Sequence, residues 1–365
     1  MQIHKIIQAL EQFAPPTLRE SYDNVGLLTG DAAWHCTGIL ISLDATEEVV
    51  LEAKARGCNL VISHHPIIFG GLKKITGSNY VEKAVIASIK NDIALYAIHT
   101  NLDNVKEGVN GRISDLLELR NRQIILPKTG FLRKLISFVP IDKIDIVRNA
   151  LFSAGAGQIG NYSECSFQAE GTGSFLAGEG TNPYAGQQGS RHYEKESRLE
   201  VIFPSYLERG VISALKASHP YEEVAFDVVE LQNQWDRVGS GIIGELVEEM
   251  EELQFLGRLK ELFRVPVVRH TELRNKTIRR IAVCGGAGSF LVNRALQLKA
   301  DIYVTGDMKY HEFFDANGQM VIADVGHFET EQFTVDLLYD ILAEKFPTFA
   351  VFKTGVLTNP VNYYI

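Results

Sequence analysis

Ten histidines are spread through 365 residues, and two of them, His64 and His65, stand together where the apolar run NLVIS meets Pro66. A residue before proline is pushed toward extended backbone, so the run reads as a buried strand that ends at the pair. Asp103, in AIHTNLDN, follows a second apolar run in the same way, with His99 four residues before it. His327 and Glu331, in VIADVGHFETE, follow a third, and their i, i+4 spacing puts both on one face of a helix start. Each has a plain reading by itself: a polar loop, an Asp-Asn turn, a chance spacing. Together they place three imidazoles and two carboxylates at carboxyl ends of strands, the edge where open α/β sheets bind ligands. A mixed nitrogen and oxygen set suits Zn, Mn or Fe. Five ligands are too many for one open site and too few to saturate two ions. The expectation is a dinuclear centre with a carboxylate bridge and open positions for water, an arrangement made for catalysis rather than scaffolding.

The elements that must position these groups follow from periodicity. From 38 to 125 short apolar runs alternate with helical patterns: GILISLD, ATEEVVLEAKARG, NLVISHH, YVEKAVIASIKN, IALYAIHTN. That order is βαβαβ, hence a parallel sheet with helices on its faces. The stretch from 278 to 365 repeats the pattern, and AKARGCNLVISHH and RALQLKADIYVTGD read as a weak internal duplication. The middle, 127 to 234, reads as two strand–helix–strand units in tandem, which predicts a ferredoxin-like α+β domain. Between those units the glycine-rich stretch from Gly171 to Gly189 is expected to form a long mobile loop or hairpin. With Glu179 and Tyr184 as its strongest ligand-engaging groups, it is read as a lid over the metals.

Other candidates carry two readings each. Gly285, Gly286, Gly288 and Ser289 lie between a strand and a helix, either as a tight turn or as a phosphate cradle; no dinucleotide fingerprint forms, because Leu291 stands where its last glycine belongs. Cys284 beside them reads as a small buried apolar residue. Asp307 and His311, in TGDMKYHE, end the strand that corresponds to the His64 strand in the duplication. They are expected near the metals as proton-transfer or ligand-orienting groups. His99 reads either as orienting a ligand or as a core histidine. His219, Glu222 and Glu223 read as a third ion site or as a solvated turn.

Composition narrows the class. A net charge of −9, from 36 basic and 45 acidic residues, repels a phosphate backbone and disfavours duplex nucleic acid as a partner. Four cysteines without a CxxC pair fit a reducing cytoplasm. The N-terminal MQIHKIIQALEQFAPP is an amphipathic helix stopped at Pro15-Pro16 and lacks the continuous apolar stretch of a signal peptide. No run of apolar residues is long enough to span a membrane.

SHHPIIFGG, IHTNLDN, TGDMKYHE and DVGHFETE, in that order and at strand ends, resemble the Nif-three-like dinuclear metal-centre proteins, also called GTP cyclohydrolase I type 2. The resemblance implies that His64, His65, Asp103, His327 and Glu331 are the metal ligands, with Glu331 the bridge. It implies two divalent ions per chain, Zn foremost with Mn or Fe as alternatives, and a toroidal homohexamer. SHPYEEVAFDVVEL resembles the PII-like or CutA-like insertion of longer members, which suggests regulation or gating. Asp23 and Asn24 in YDNVGLL match a loop of the family. The expected domains are 1–126, the N-terminal half of an α/β metal-binding core; 127–234, the insertion; and 235–365, the C-terminal half. The expected function is a metal-dependent hydrolase acting on a small molecule. The resemblance suggests GTP ring opening, while the ligand set alone serves a phosphoesterase equally well, and a metal- or metabolite-sensing regulator is the reading from another class.

Overall fold

Four short strands form in the first hundred residues: β1 (Gly26–Thr29), β2 (Ile39–Ser42), β3 (Leu60–Ser63) and β4 (Ala94–Ala97). The last three are buried along their whole length, as strands covered on both faces must be. Helices Glu47–Ala55 and Tyr80–Lys90 connect them, each opened by a side chain that accepts a backbone N–H, Thr46 from Val49 and Asn79 from Glu82. These crossovers make β2, β3 and β4 parallel, and β1 pairs antiparallel with β4.

The computed structural model describes residues 1–364. They divide into two compact units, one made of residues 1–127 together with those from 237 on, the other of 128–236. After β5 (Arg120–Lys128) the second unit contributes β6 (Leu132–Pro140), β7 (Ser166–Leu176), β8 (Arg191–Pro204) and β9 (Phe226–Leu231), with helices Ile144–Ser153 and Glu208–Ser218. Its strand order is β7-β8-β6-β9, every neighbour antiparallel. The core of this unit gathers Leu135, Val139, Val147, Leu151, Leu199, Val201 and Phe203.

The chain then builds β10 (Trp235–Glu251), β11 (Arg269–His270), β12 (Thr277–Ala287), β13 (Ile302–Gly306), β14 (Val321–Asp324) and β15 (Val351–Lys353). A six-stranded sheet runs β11-β14-β13-β12-β10-β5, and β12, β13 and β14 are parallel. Two features depart from the expected division into an N-terminal and a C-terminal half. β5, which precedes the insertion, lies in the sheet of the later half, and β15 pairs in parallel with β2 of the earlier one. Each half thus supplies an edge strand to the other's sheet, covering an edge that would otherwise be open.

Of the two forms expected for the glycine-rich stretch, loop or hairpin, the fold has the hairpin. Gly171 to Leu176 belong to β7, which pairs with β8 residue by residue from Ser166↔Val201 to Leu176↔Arg191. Only the part beyond Leu176 is loop, because the ladder, and not an apolar face, holds the glycines in place. No helix among the described residues is long and apolar enough to cross a membrane.

Candidate metal centre

β3 delivers His64 and His65 to the carboxyl edge, and β4 delivers His99 and then Asp103 on the short helix Thr100–Asp103. β14 leads through Gly326 into helix His327–Glu331. The three stretches meet within the first unit. Ligand atoms of His64, Asp103 and Glu331 lie within 4.8 Å of one another, as do those of His65, His327 and Glu331, and those of His64, His65 and His99.

The hydrogen bonds at the outer ring nitrogens decide what the inner ones can do. Nδ1 of buried His64 faces the Ile98 carbonyl oxygen at 2.9 Å. A carbonyl only accepts, so Nδ1 carries the proton and, in the neutral ring, Nε2 is left with its lone pair. That Nε2 is buried without a hydrogen-bond partner, and so is Oδ1 of Asp103, 3.5 Å away. His65 Nδ1 faces Asp44 Oδ1 at 2.8 Å and His327 Nδ1 faces Asp307 Oδ2 at 2.8 Å. Their Nε2 atoms approach each other to 3.3 Å and Glu331 Oε2 to 2.9 and 3.0 Å. The other oxygen, Oε1, lies 3.8 Å from His64 Nε2. Glu331 therefore turns one oxygen to each of two donor sets.

Electrostatics point the same way. Burial works against charge on His65, yet Asp44 and Glu331 push its pKa up to about 10; against the same penalty, Glu331 and Asp307 push His327 up to about 9. Burial raises the Asp103 carboxyl, whereas the imidazoles of His327, His64 and His65 hold Glu331 well below the usual range despite burial. The carboxylates Glu331, Asp44 and Asp307 draw positive charge onto these largely buried imidazoles, as they would draw a bound cation. Buried orphan acceptors and a borderline nitrogen–oxygen donor set fit divalent transition metals or zinc.

Supporting groups complete the frame. Asp44, which sequence reasoning passed over, fixes His65 and is itself held by the Thr358 hydroxyl, which donates to Oδ2 at 2.6 Å. Such carboxylate–histidine pairs orient metal ligands. A lone Asp at the end of β2, in SLDA, is its only signal. Asp23 accepts from Thr100 N–H at 3.0 Å and from its hydroxyl, and faces His99 Nδ1 at 2.9 Å. Burial opposes its charge, but His99 and Thr100 bring its pKa down to about 2. Asp307 holds a left-handed backbone, φ 56°, at the His327 ring.

The remaining candidates separate clearly. The N–H groups of Gly285 and Gly286 are spent on Asn110 Oδ1 and Thr330 Oγ1, both at 2.9 Å, so neither is free for an anion. Gly288 closes on Tyr303, whose hydroxyl donates to its carbonyl at 2.7 Å, and Ser289 opens the 3-10 turn Ser289–Leu291. Of the two readings for this stretch, the turn has the physical support. A glycine is required at Gly286 because a Cβ there would collide with Glu331 Oε1, and its φ is +62°. Burial raises the Cys284 thiol to about 12, and it lies against the Gly285 carbonyl and the Tyr303 hydroxyl, a packed residue rather than a nucleophile. His311 is exposed on the 3-10 segment Tyr310–Ala316, with its ring against Tyr310 and Phe314 instead of the cluster. That turn carries it away from Asp307. Both nitrogens of His219 are engaged, by the Phe138 carbonyl at 3.0 Å and Tyr221 N–H at 3.1 Å, and Glu222 accepts from Asn182 N–H. A third ion finds no free imidazole there.

The profile of Duf34/NIF3 (NGG1p interacting factor 3) matches residues 1–360. The chain is 38% identical over 363 residues to the GTP cyclohydrolase 1 type 2 homolog of Halalkalibacterium halodurans, covering 98% of each. It is 34% identical to the protein of the same description from Staphylococcus epidermidis, over the full length of both. Among solved structures, a Bacillus cereus protein related to NIF3 is 39% identical with a TM-score of 0.89, covering 100% of this chain and 99% of that one. A Staphylococcus aureus protein follows at 30% identity and a TM-score of 0.78, with the same coverage.

Proposed function

The chain belongs to the Duf34/NIF3 family, and on that premise we propose a hydrolase that works with two divalent cations, Zn foremost and Mn or Fe as alternatives. One observation carries the reading: Glu331 turns its two oxygens toward two donor sets, one of which contains the buried, partnerless His64 Nε2 and Asp103 Oδ1. His64 and Asp103 would hold one ion, His65 and His327 the other, with Glu331 between them. Ions held there supply Lewis acidity and bring the pKa of water toward neutrality.

The chain's own residues do the rest. Ile98, Asp44 and Asp307 keep each Nδ1 protonated, so that each Nε2 stays a ligand. Asp23 holds the proton of His99 on Nδ1, which leaves Nε2 of that ring as a base beside His64 and His65. Half-exposed Asp307 offers a carboxylate through which a proton can pass to solvent. His311, exposed on its own turn, is left out of this relay.

The relatives' description suggests a nucleotide substrate and hydrolytic opening of a purine ring; cleavage of a phosphoester uses the same groups. Residues 128–236, with their βαββαβ order, serve as an inserted ferredoxin-like domain of the PII or CutA kind within the α/β core. A cytoplasmic homohexamer is the proposed assembly, checked by sedimentation at micromolar concentration. The function is tested by turnover of metal-loaded protein against nucleotides and phosphoesters, with His65→Ala as the control. Turnover of none, or equal turnover by the variant, would reject the hydrolase.

A further inference from the structure

The second unit packs both its helices against one face of its sheet, through Leu135, Val139, Leu199, Val201 and Phe203. Side chains alternate along a strand, so Phe138, Glu196 and Arg198 project from the other face. There the glycine-rich part of β7, the loop after it and the turn Tyr221–Ala225 enclose a cavity of about 710 Å³. That volume lies within the range of small-molecule sites.

Its wall has two chemistries. Tyr221 meets the rings of Phe175 and Tyr184 at 6.1 Å each, and Phe138 extends this aromatic surface. Glu196, Glu222 and Glu223 line the same cavity against a single cation, Arg198, which is already paired with Glu200 at 2.9 Å. Tyr221 donates its hydroxyl to Glu196 Oε1 at 2.8 Å, fixing that largely buried carboxylate against the rings. Burial and then Glu196 push the phenol above its ordinary pKa, which keeps the donor protonated. Glu222 accepts from Asn182 N–H at 3.0 Å and ties the loop to the turn.

We propose that this cavity binds a small organic cation, an ammonium or guanidinium head on an apolar or aromatic body. The rings receive the body and, through their negative faces, the head, while the carboxylates supply charge-assisted acceptors. An anion meets net negative charge here, and a bare divalent ion gains nothing from the rings. The glycines give the cavity its depth. Gly171 is directly opposite Glu196 in register, so a side chain there shares its face, and a Cβ at that position meets nothing within 4 Å. At Gly173 a Cβ would collide with Glu196 Oε2.

The test titrates the full chain with benzylammonium, whose N–H groups can donate to the carboxylates, with benzenesulfonate as the anionic counterpart, followed by calorimetry. Saturable binding of the cation and none of the sulfonate is expected. Glu196→Gln keeps the oxygen that accepts from Tyr221 and removes the charge, and it should weaken the cation by about tenfold. Gly171→Leu should abolish binding by filling the cavity. Comparable binding of the sulfonate, undiminished binding in Glu196→Gln, or no saturation at millimolar cation overturns the proposal. So does a drop in oligomeric mass in Gly171→Leu when the unaltered chain binds no cation, which would assign the face to a second copy of the chain.

Discussion

Replacing Gly286 with alanine should strip metal from the centre although no ligand is changed. A Cβ at that position collides with Glu331 Oε1 and comes within 3.3 Å of His327 Cε1. Relief needs a shift on the order of 1 Å, and Glu331, 2% exposed, has packed neighbours on every side. Holding alanine at φ +62° adds roughly 1 to 2 kcal/mol against the fold. Because the displaced carboxylate faces both donor sets, both of the proposed ions should be held more weakly. Disturbing the groups around metal ligands costs about 10- to 100-fold in affinity, or roughly 1.4 to 2.7 kcal/mol. The assay is competition with a chelator, followed by metal analysis of folded protein. Gly285→Ala is the neighbouring control, since a Cβ there crowds the buried Val109 side chain at 2.9 Å but meets Glu331 only at Cγ, at an ordinary 3.5 Å, and no carboxylate oxygen. If Gly286→Ala, folded, resists the same chelator concentration as the unaltered chain, the close approach of backbone to Glu331 is not what shapes the site.

Three further outcomes are expected. Glu331→Gln should lose more metal than any other conservative change among the five proposed ligands, since a neutral amide bridges poorly; equal losses across the set, read by metal analysis, would remove its special role. Asp23 has a folded pKa of about 2 against an ordinary 3.8, so its contribution of about 1 to 2 kcal/mol after screening is present above the higher value and lost as pH falls toward the lower. Urea unfolding should therefore show the gap between the unaltered chain and Asp23→Asn closing over that acid range, and a gap independent of pH would contradict the linkage. Joining residue 127 to 237 by a short flexible linker should leave metal content unchanged, because β5 and β10 are neighbours in one sheet on either side of the excised unit; loss of metal would make 128–236 part of the centre.

The convergence of His64, His65, Asp103, His327 and Glu331 was legible because each lies on the connection that leaves a short apolar run, and the carboxyl ends of parallel strands share an edge. Asp44 follows such a run too, but one aspartate without a spaced partner has no pattern to stand out from. Pattern also fails where sequence distance hides a contact. Nothing in the short run Val351–Lys353 shows that it pairs with β2, or in Arg120–Lys128 that it joins the later sheet. The Gly285–Gly288 stretch could be read as a cradle because glycine permits close approach to any group; in the fold that group is a carboxylate, not a phosphate. His311 lies near Asp307 in sequence, yet it sits on a 3-10 segment that turns its ring toward Tyr310 and Phe314.

The pairing of β15 with β2 also sets an order of events on the ribosome. Thr358 reaches Asp44 across 314 residues of chain, so the groups that orient His65 leave the ribosome far apart in time. At about 5 to 20 residues per second, the early strands wait tens of seconds for their last neighbour. A nascent chain halted before Val351 would expose the edge of β2, an invitation to chaperones or to a stray strand, and could not yet hold His65 as the finished protein does.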